Sequence, residues 1–498
     1  MVRGRGSSAA LLVLVLLSGC GTTVPQGAAG SSGPQDGLGT TGVAPSVPQG
    51  AAPADPAGGT GSGSASGATS ATGSTGGLPA SSTAAPATGG SGQPSLTTDH
   101  APLTVGLTYI NNDQTSQALG VSDAATASKQ NVARALVRAL NLRGGAGGRP
   151  LKVVEYEWNS QSNDWSADAS AACALFTQDH HLTVVLDNAF GTIGGFRDCL
   201  QKKHVLVIGN GPEGDQVSSL GDRLHANTFN LTTDHGYVAT LDGLSATGYL
   251  LRTSKVGVIL ESCPETDRAW TRSVKPRLAR LVTTAPQVAT VSCTRGFADA
   301  GPAASVVSNA VLRFRSNGVD RVMFVSDNES VLLLLFASTA SSQGYQPGFM
   351  LTSAAQAQAL RSQVPAGQQP QLHGVGQLPF NDTDGATLRP PDVLCRSLAK
   401  AGGITSAAYA DYVTVFFECG PLLLLDAAVR ASRGASTPEA LVAAIDALGS
   451  RFDGPGLVGG ATSYTANRHD GPAEVRVFGF DSSCTCMRYT GAARSAPL

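Results

Sequence analysis

From residue 103 onward, short apolar runs alternate with stretches whose apolar residues recur every three or four positions, and this alternation restricts the chain to one class of fold. Strand-sized runs occupy residues 103–107, 151–156, 182–186 and 205–208. Between them lie helical patterns, one near 126–141 with Val132, Leu136 and Leu140 on one face, another marked by Ala169, Ala172, Cys173 and Phe176. The pattern then restarts. A helix near 237–251 precedes strands at 256–260, 288–291 and 321–325, separated by helices through Trp270 and Leu278, near 303–315 and near 330–342. Alternation of this kind predicts parallel sheets with helices on both faces, and two runs predict two sheets. About 400 residues are also too many for a single core, which seldom grows past ~250 to 300 residues. Residues 331–336 and 421–425 are strongly apolar but far too short to span a bilayer, so they read as buried helix faces, and Trp270 reads as core.

The amino terminus has a different character. Arg3 and Arg5 precede an apolar run at 9–17, then Leu17-Ser18-Gly19-Cys20. A charged start, a short apolar core and small residues before a cut form a secretory signal peptide. Cysteine directly after them resembles the bacterial lipobox, which implies cleavage before Cys20 and lipid on its sulfur; two or more acyl chains give stable membrane attachment. Residues 21–98 are almost entirely Gly, Ala, Ser, Thr, Pro and Gln, with Asp36 and Asp55 the only charges. Such a segment cannot bury enough apolar surface to offset its ordering entropy, and as a flexible coil of ~80 residues it reaches on the order of 50 Å. Its Gly, Ala and Arg bias points to a high-GC, actinobacterial envelope.

Lys plus Arg number 34 against 36 Asp plus Glu, a formal net charge of -2, and neither sign forms a long run. Nucleic acid is therefore not an expected partner. With Cys20 assigned to lipid, eight cysteines remain, an even number that in an exported chain reads as disulfides. Order along the chain favours Cys173 with Cys199, Cys263 with Cys293 and Cys395 with Cys419. Cys484 and Cys486 could close a small ring or pair elsewhere. The alternative, a zinc site, lacks a Cys-x-x-Cys pair or clustered histidines, so no metal and no cofactor are expected.

One segment is more specific. Asn141-Leu142-Arg143-Gly144-Gly145-Ala146-Gly147-Gly148-Arg149-Pro150-Leu151 resembles the Asn-x-x-Gly-Gly-Ile-x-Gly-Arg/Lys-x-Leu joint between first helix and second strand of type 1 periplasmic solute-binding proteins, the branched-chain amino-acid-binding clade. The likeness extends over 101–490. Phe229 to Asp234 resembles the first crossover between lobes, Gly344-Tyr345-Gln346-Pro347 the joint before the last strand of the second lobe, 392–431 the returning helices, and 454–480 the closing strands with Tyr464, Arg468 and His469. The implied fold is α/β: two doubly wound parallel-sheet lobes joined by a three-strand hinge, preceded by a disordered linker. The expected divisions are signal peptide 1–19, lipidated cysteine and linker 20–100, first lobe 101–231, second lobe 232–353, first-lobe return 354–455, and hinge with second-lobe return 456–498.

The same resemblance implies a ligand between the lobes, at the carboxyl ends of strands. The candidate ligand residues there are Asn111, Asn188, Thr192, Asn210, Asp234, Glu261 and Asp327. Where amino-acid binders carry a Ser-rich turn, this chain has Ala189-Phe190-Gly191-Thr192; where they carry a Glu for the α-ammonium, it has Thr352 and Ser353. Both departures argue against an amino-acid ligand, because a buried ammonium needs a carboxylate partner. His469, beside Asp470-Gly471, reads as a solvated hairpin residue, and His180 and His181 as surface loop.

No Gly-x-Ser-x-Gly elbow, Walker loop, His-Glu-x-x-His pair or strand-anchored Gly-x-Gly-x-x-Gly is present; 209–214 superficially resembles the last, but Pro212 makes it a turn. An enzyme is therefore not expected. The resemblance implies a monomeric, lipid-anchored protein on the extracytoplasmic face of the cell membrane that captures a small polar solute and passes it to ABC permease subunits. The alternative is a ligand-sensing or envelope-interaction lipoprotein of the same fold.

Overall fold

A computed structural model describes residues 101–111, 129–159, 161–189, 195–209, 224–296, 299–352, 357, 360–378, 388–404 and 412–497. The signal peptide, Cys20, the linker, Thr192 and Asn210 lie outside these residues.

The first sheet comprises β1 (Leu103–Asn111), β2 (Leu151–Asn159), β3 (Val184–Asp187), β4 (Leu206–Gly209) and β5 (His225–Asn227), in the order β2-β1-β3-β4-β5 with every pair parallel. Its strands alternate between two apolar layers. Val184 and Leu186 face one core with Leu136 and Leu424, while Val185 faces the other with Phe176 and Phe196. A sheet covered on both sides is why these strands read as continuous apolar runs. Helix α1 (Lys129–Leu142) presents Val132, Leu136 and Leu140 to the first layer.

The glycine-rich joint after α1 has a clear physical basis. Gly144, Gly145, Gly147 and Gly148 all adopt positive φ, between 58° and 100°, which side chains disfavour. The Asn141 side chain then grips the backbone of Leu151 from both sides, its Nδ2 donating to the carbonyl at 2.9 Å and its Oδ1 accepting from the N–H at 2.7 Å.

The second sheet comprises β6 (Val256–Ser262), β7 (Gln287–Ser292), β8 (Arg321–Val325), β9 (Gly348–Leu351), β10 (Leu372–Gly376), β11 (Glu474–Asp481) and β12 (Cys486–Ser495), in the order β12-β11-β10-β9-β8-β6-β7. Strands β6 to β10 repeat the winding of the first sheet. The closing hairpin β11–β12 is antiparallel, so this sheet is mixed where alternation alone predicted a parallel one. One of its cores gathers Phe314, Phe324, Phe336 and Phe349; the other gathers Leu241, Leu244, Trp270 and Leu278.

The chain leaves β5 for helix α2 (Thr233–Ala246) in the second lobe and returns only after β10. The return therefore follows residue 376 rather than residue 354. Helices Pro390–Ala401, Tyr412–Ala431 and Pro438–Leu448 then pack into the first lobe's core through Leu398, Val415, Leu422 and Leu441.

His469 is not solvated. It is 3% exposed, its Nε2 lies 2.9 Å from Asp446, and its ring stands edge-on to His225. The neighbouring turn is real, but Asp470 is buried beneath it, accepting from the Thr232 N–H at 2.8 Å and pairing with His235 and Arg468. These residues join the third crossing to the first, so a turn signal marks a hinge. His180 and His181 are exposed.

Disulfides join Cys173 to Cys199, Cys263 to Cys293, Cys395 to Cys419 and Cys484 to Cys486. The first three are the pairs that chain order favoured. Among the described residues no helix is long and apolar enough to cross a membrane, and no cluster of three His, Cys, Asp or Glu could hold a metal ion.

Candidate functional site

The carboxyl edges of the two sheets face each other. On one side the chain crosses from the end of β5 into α2. On the other, the Trp165 N–H, beyond β2, donates to the Arg295 carbonyl, beyond β7, at 3.0 Å, with Gly296 packed so close on Asn163 that a side chain would not fit. Strands β2 and β7 are the edges of the first sheet and of the second sheet's parallel run farthest from that crossing. The two edges are tied together at this rim by a backbone bond, and ligands of doubly wound sheets bind at such carboxyl edges.

On the first lobe Asn188, Glu418 and Lys129 lie together at this carboxyl edge. Asn188 follows β3, and Lys129 opens α1 after β1. Glu418 sits in helix Tyr412–Ala431, whose first half packs on the end of β5, with Gly420 against Phe229 and Phe417 beside the same ring. The other end of that helix lies at the opposite edge, where Asp426 accepts from the Gly147 N–H at 2.7 Å. Glu418 is therefore at the carboxyl edge.

Glu418 is 2% exposed. Its Oε2 accepts from Asn188 Nδ2 at 2.7 Å, while its Oε1 is buried without a hydrogen-bond partner. Burial pushes the carboxyl up to about 8, against the pull of the Lys129 ammonium and of Asn188. Burial also holds Lys129 below the usual lysine range, with Glu418 opposing. A buried polar atom left unpaired costs roughly 1 to 3 kcal/mol, which a bound hydrogen-bond partner would recover.

The second lobe contributes a different set. Glu261, at the end of β6, accepts from Ser326 Oγ at 2.6 Å, Asn328 Nδ2 at 3.1 Å and the Thr294 N–H at 2.9 Å, tying together the ends of β6, β7 and β8. Its oxygens are thus engaged inside the lobe. The Tyr237 hydroxyl, from α2, accepts from the Ser326 N–H at 2.8 Å; burial, with Asp327 and Glu329 nearby, keeps this phenol well above the usual tyrosine range. Glu329, at the start of helix Glu329–Ser342, accepts from the Thr352 N–H at 3.0 Å and Oγ1 at 2.5 Å, and burial pushes it up to about 7. A carboxyl group therefore does stand beside Thr352, supplied by another element.

Of the residues expected from sequence, Asn188, Glu261 and Asp327 lie at carboxyl ends of strands. Asn111 is the last residue of β1, but its side chain is outside the described part. Asp234 is buried against its own lobe, accepting from Ser273 Oγ at 2.7 Å, with Arg268 at 4.0 Å. Sequence reasoning passed over Glu418, Lys129 and Tyr237. Glu418 had one visible signal: it is the sole charged residue between Tyr412 and Leu425, in an otherwise apolar helix.

The family model described as periplasmic binding protein matches residues 117–485. No curated protein sequence matches the chain. Solved structures do. A possible leucine/isoleucine/valine-binding protein from Rhodopirellula baltica superposes with TM-score 0.57 at 15% identity, over 79% of this chain and 97% of the other. A branched-chain amino-acid ABC transporter protein from Thermus thermophilus, with bound valine, gives 0.58 at 13%, over 79% and 97%. A solute-binding protein from R. palustris in complex with benzoate gives 0.55 at 15%, over 80% and 97%. At these identities the structures speak for the fold alone, and they describe binding proteins, not enzymes. The family match over most of the chain, on two doubly wound lobes, makes this chain a member of the type 1 periplasmic binding protein family.

Proposed function

We propose that this protein captures a small, uncharged polar solute between its lobes and delivers it to an ABC permease, while held to the extracytoplasmic face of the membrane by lipid on Cys20. The observation that carries the reading is the unpartnered Oε1 of Glu418, buried beside Asn188 at the carboxyl edge of the first sheet. It calls for a hydrogen-bond partner.

The character of that partner follows from the protonation of the buried carboxyls. Glu418 and Glu329, raised to about 8 and about 7, retain protons near neutral pH and act as hydrogen-bonding groups rather than fixed charges. Such a site suits hydroxyl or amide groups better than the zwitterion of leucine or valine. The Trp165–Arg295 bond is made only when the lobes are close, so a solute touching both floors favours that state by its differential contacts.

Thermal-shift screening of the whole chain against sugars, polyols, amides, amino acids and aromatic acids tests this. An uncharged hit that raises Tm, and whose effect disappears in Glu418→Ala, supports the proposal. Hits confined to amino acids overturn the ligand class.

A further inference from the structure

The four disulfides are not equivalent. Cys173, Cys263, Cys395 and Cys419 are each buried, so three bridges are anchored in packed cores. The fourth, Cys484–Cys486, stands at the tip of the β11–β12 hairpin, with Cys484 exposed and Cys486 half-buried. The other bridges close loops of 24 to 30 residues; this one has a sequence separation of 2 and restrains the unfolded chain least. Stability therefore does not explain it.

Its surroundings favour reaction. Thr485, between the two sulfurs, has φ of 52°, a region that β-branched residues seldom occupy, so the ring holds its backbone in an unfavourable conformation that opening would release. Arg361 donates from Nε to the Thr485 carbonyl at 2.7 Å, placing a guanidinium against the ring. A cation near a disulfide favours the thiolate that must leave when the bond breaks. An exposed bridge in a strained ring is the labile kind.

We propose that Cys484–Cys486 is a thiol–disulfide exchange site that reacts with dithiol reductants at the protein surface while the three core bridges stay oxidised. A dithiol's thiolate attacks one sulfur of the pair and forms a mixed disulfide. The Cys484–Cys486 bond breaks, and the other cysteine leaves as a thiolate that takes up a proton. The dithiol's second thiolate then displaces the first cysteine. The products are a reduced Cys484/Cys486 pair and an oxidised dithiol, two electrons having passed to the protein.

The test is a dithiothreitol titration of the whole native chain, followed by alkylation and peptide mapping. Two thiols per molecule, at Cys484 and Cys486, are expected at reductant concentrations at least tenfold below those that open any other bridge. Opening of another bridge first, or of all four together with loss of circular dichroism, overturns the proposal. Thr485→Gly, which accepts positive φ freely, is expected to slow reduction several-fold with the fold unchanged. An unaltered rate overturns the role of the strained backbone. In Cys486→Ser, Cys484 is expected to form a mixed disulfide with 5,5′-dithiobis(2-nitrobenzoate) in the folded state; a thiol that reacts only after denaturation overturns its accessibility.

Discussion

Asn188 donates to the buried carboxyl of Glu418 across 2.7 Å, although 230 residues separate the two in sequence. The bond joins the end of β3 to a helix that arrives only after the chain has built most of the second lobe. One oxygen of that carboxyl is satisfied by Asn188; the other is buried without a hydrogen-bond partner.

Glu329 carries a pH dependence of definite sign. Its carboxyl is raised from the ordinary value to about 7 by burial, so the folded state holds a proton that the unfolded state releases at lower pH. Its contribution is fully present below pH ~4.5 and is lost as pH rises through 7, at most about 3 kcal/mol. Urea denaturation at pH 5 and pH 8 should show this slope, and Glu329→Gln should flatten it. An equal slope in both proteins contradicts the assignment.

The Asn141 clamp on Leu151 is a second quantitative target. Asn141→Ala removes both hydrogen bonds at a partly buried site, and a loss of about 1 to 3 kcal/mol is expected from chemical denaturation. Asn141→Asp keeps only the acceptor and should fall between. A change below ~0.5 kcal/mol in the alanine variant would mean that the glycine turn holds the joint alone.

Much of the fold was legible because its strands are short, apolar and buried on both faces, as Val184 to Leu186 and Val205 to Ile208 illustrate. Strands β5 and β10 were not. His225-Ala226-Asn227 is three residues long and largely polar, and becomes a strand only because β4 offers it an edge. His469 was misread because local turn chemistry says nothing about what later folds over a turn. Residues just after strands follow from topology, but Glu418 reaches the same carboxyl edge from a returning helix that strand patterns do not reveal, and Glu261 is spent on tying strand ends together.

The core disulfides should contribute measurably. Replacing Cys173 and Cys199 together by serine opens a loop with a sequence separation of 26, for which chain entropy gives about 3 kcal/mol. Differential scanning calorimetry should show a lower Tm by several degrees. A Tm at or above that of the parent contradicts the expectation.

In the proposed function, anchoring rests on one sulfur. Cys20→Ala should abolish acyl labelling and release the protein from membranes, while solute binding by the released chain is unchanged. Retention in the membrane fraction with no lipid on residue 20 contradicts the anchor.

If Glu418 and Asn188 read the solute, as proposed, titration calorimetry of the best uncharged hit should show it, run on the parent, Glu418→Ala, Asn188→Ala and the exposed control Arg138→Ala. At least a tenfold loss of affinity is expected in the first two variants and none in the control. Micromolar leucine binding that survives both substitutions would contradict the proposal.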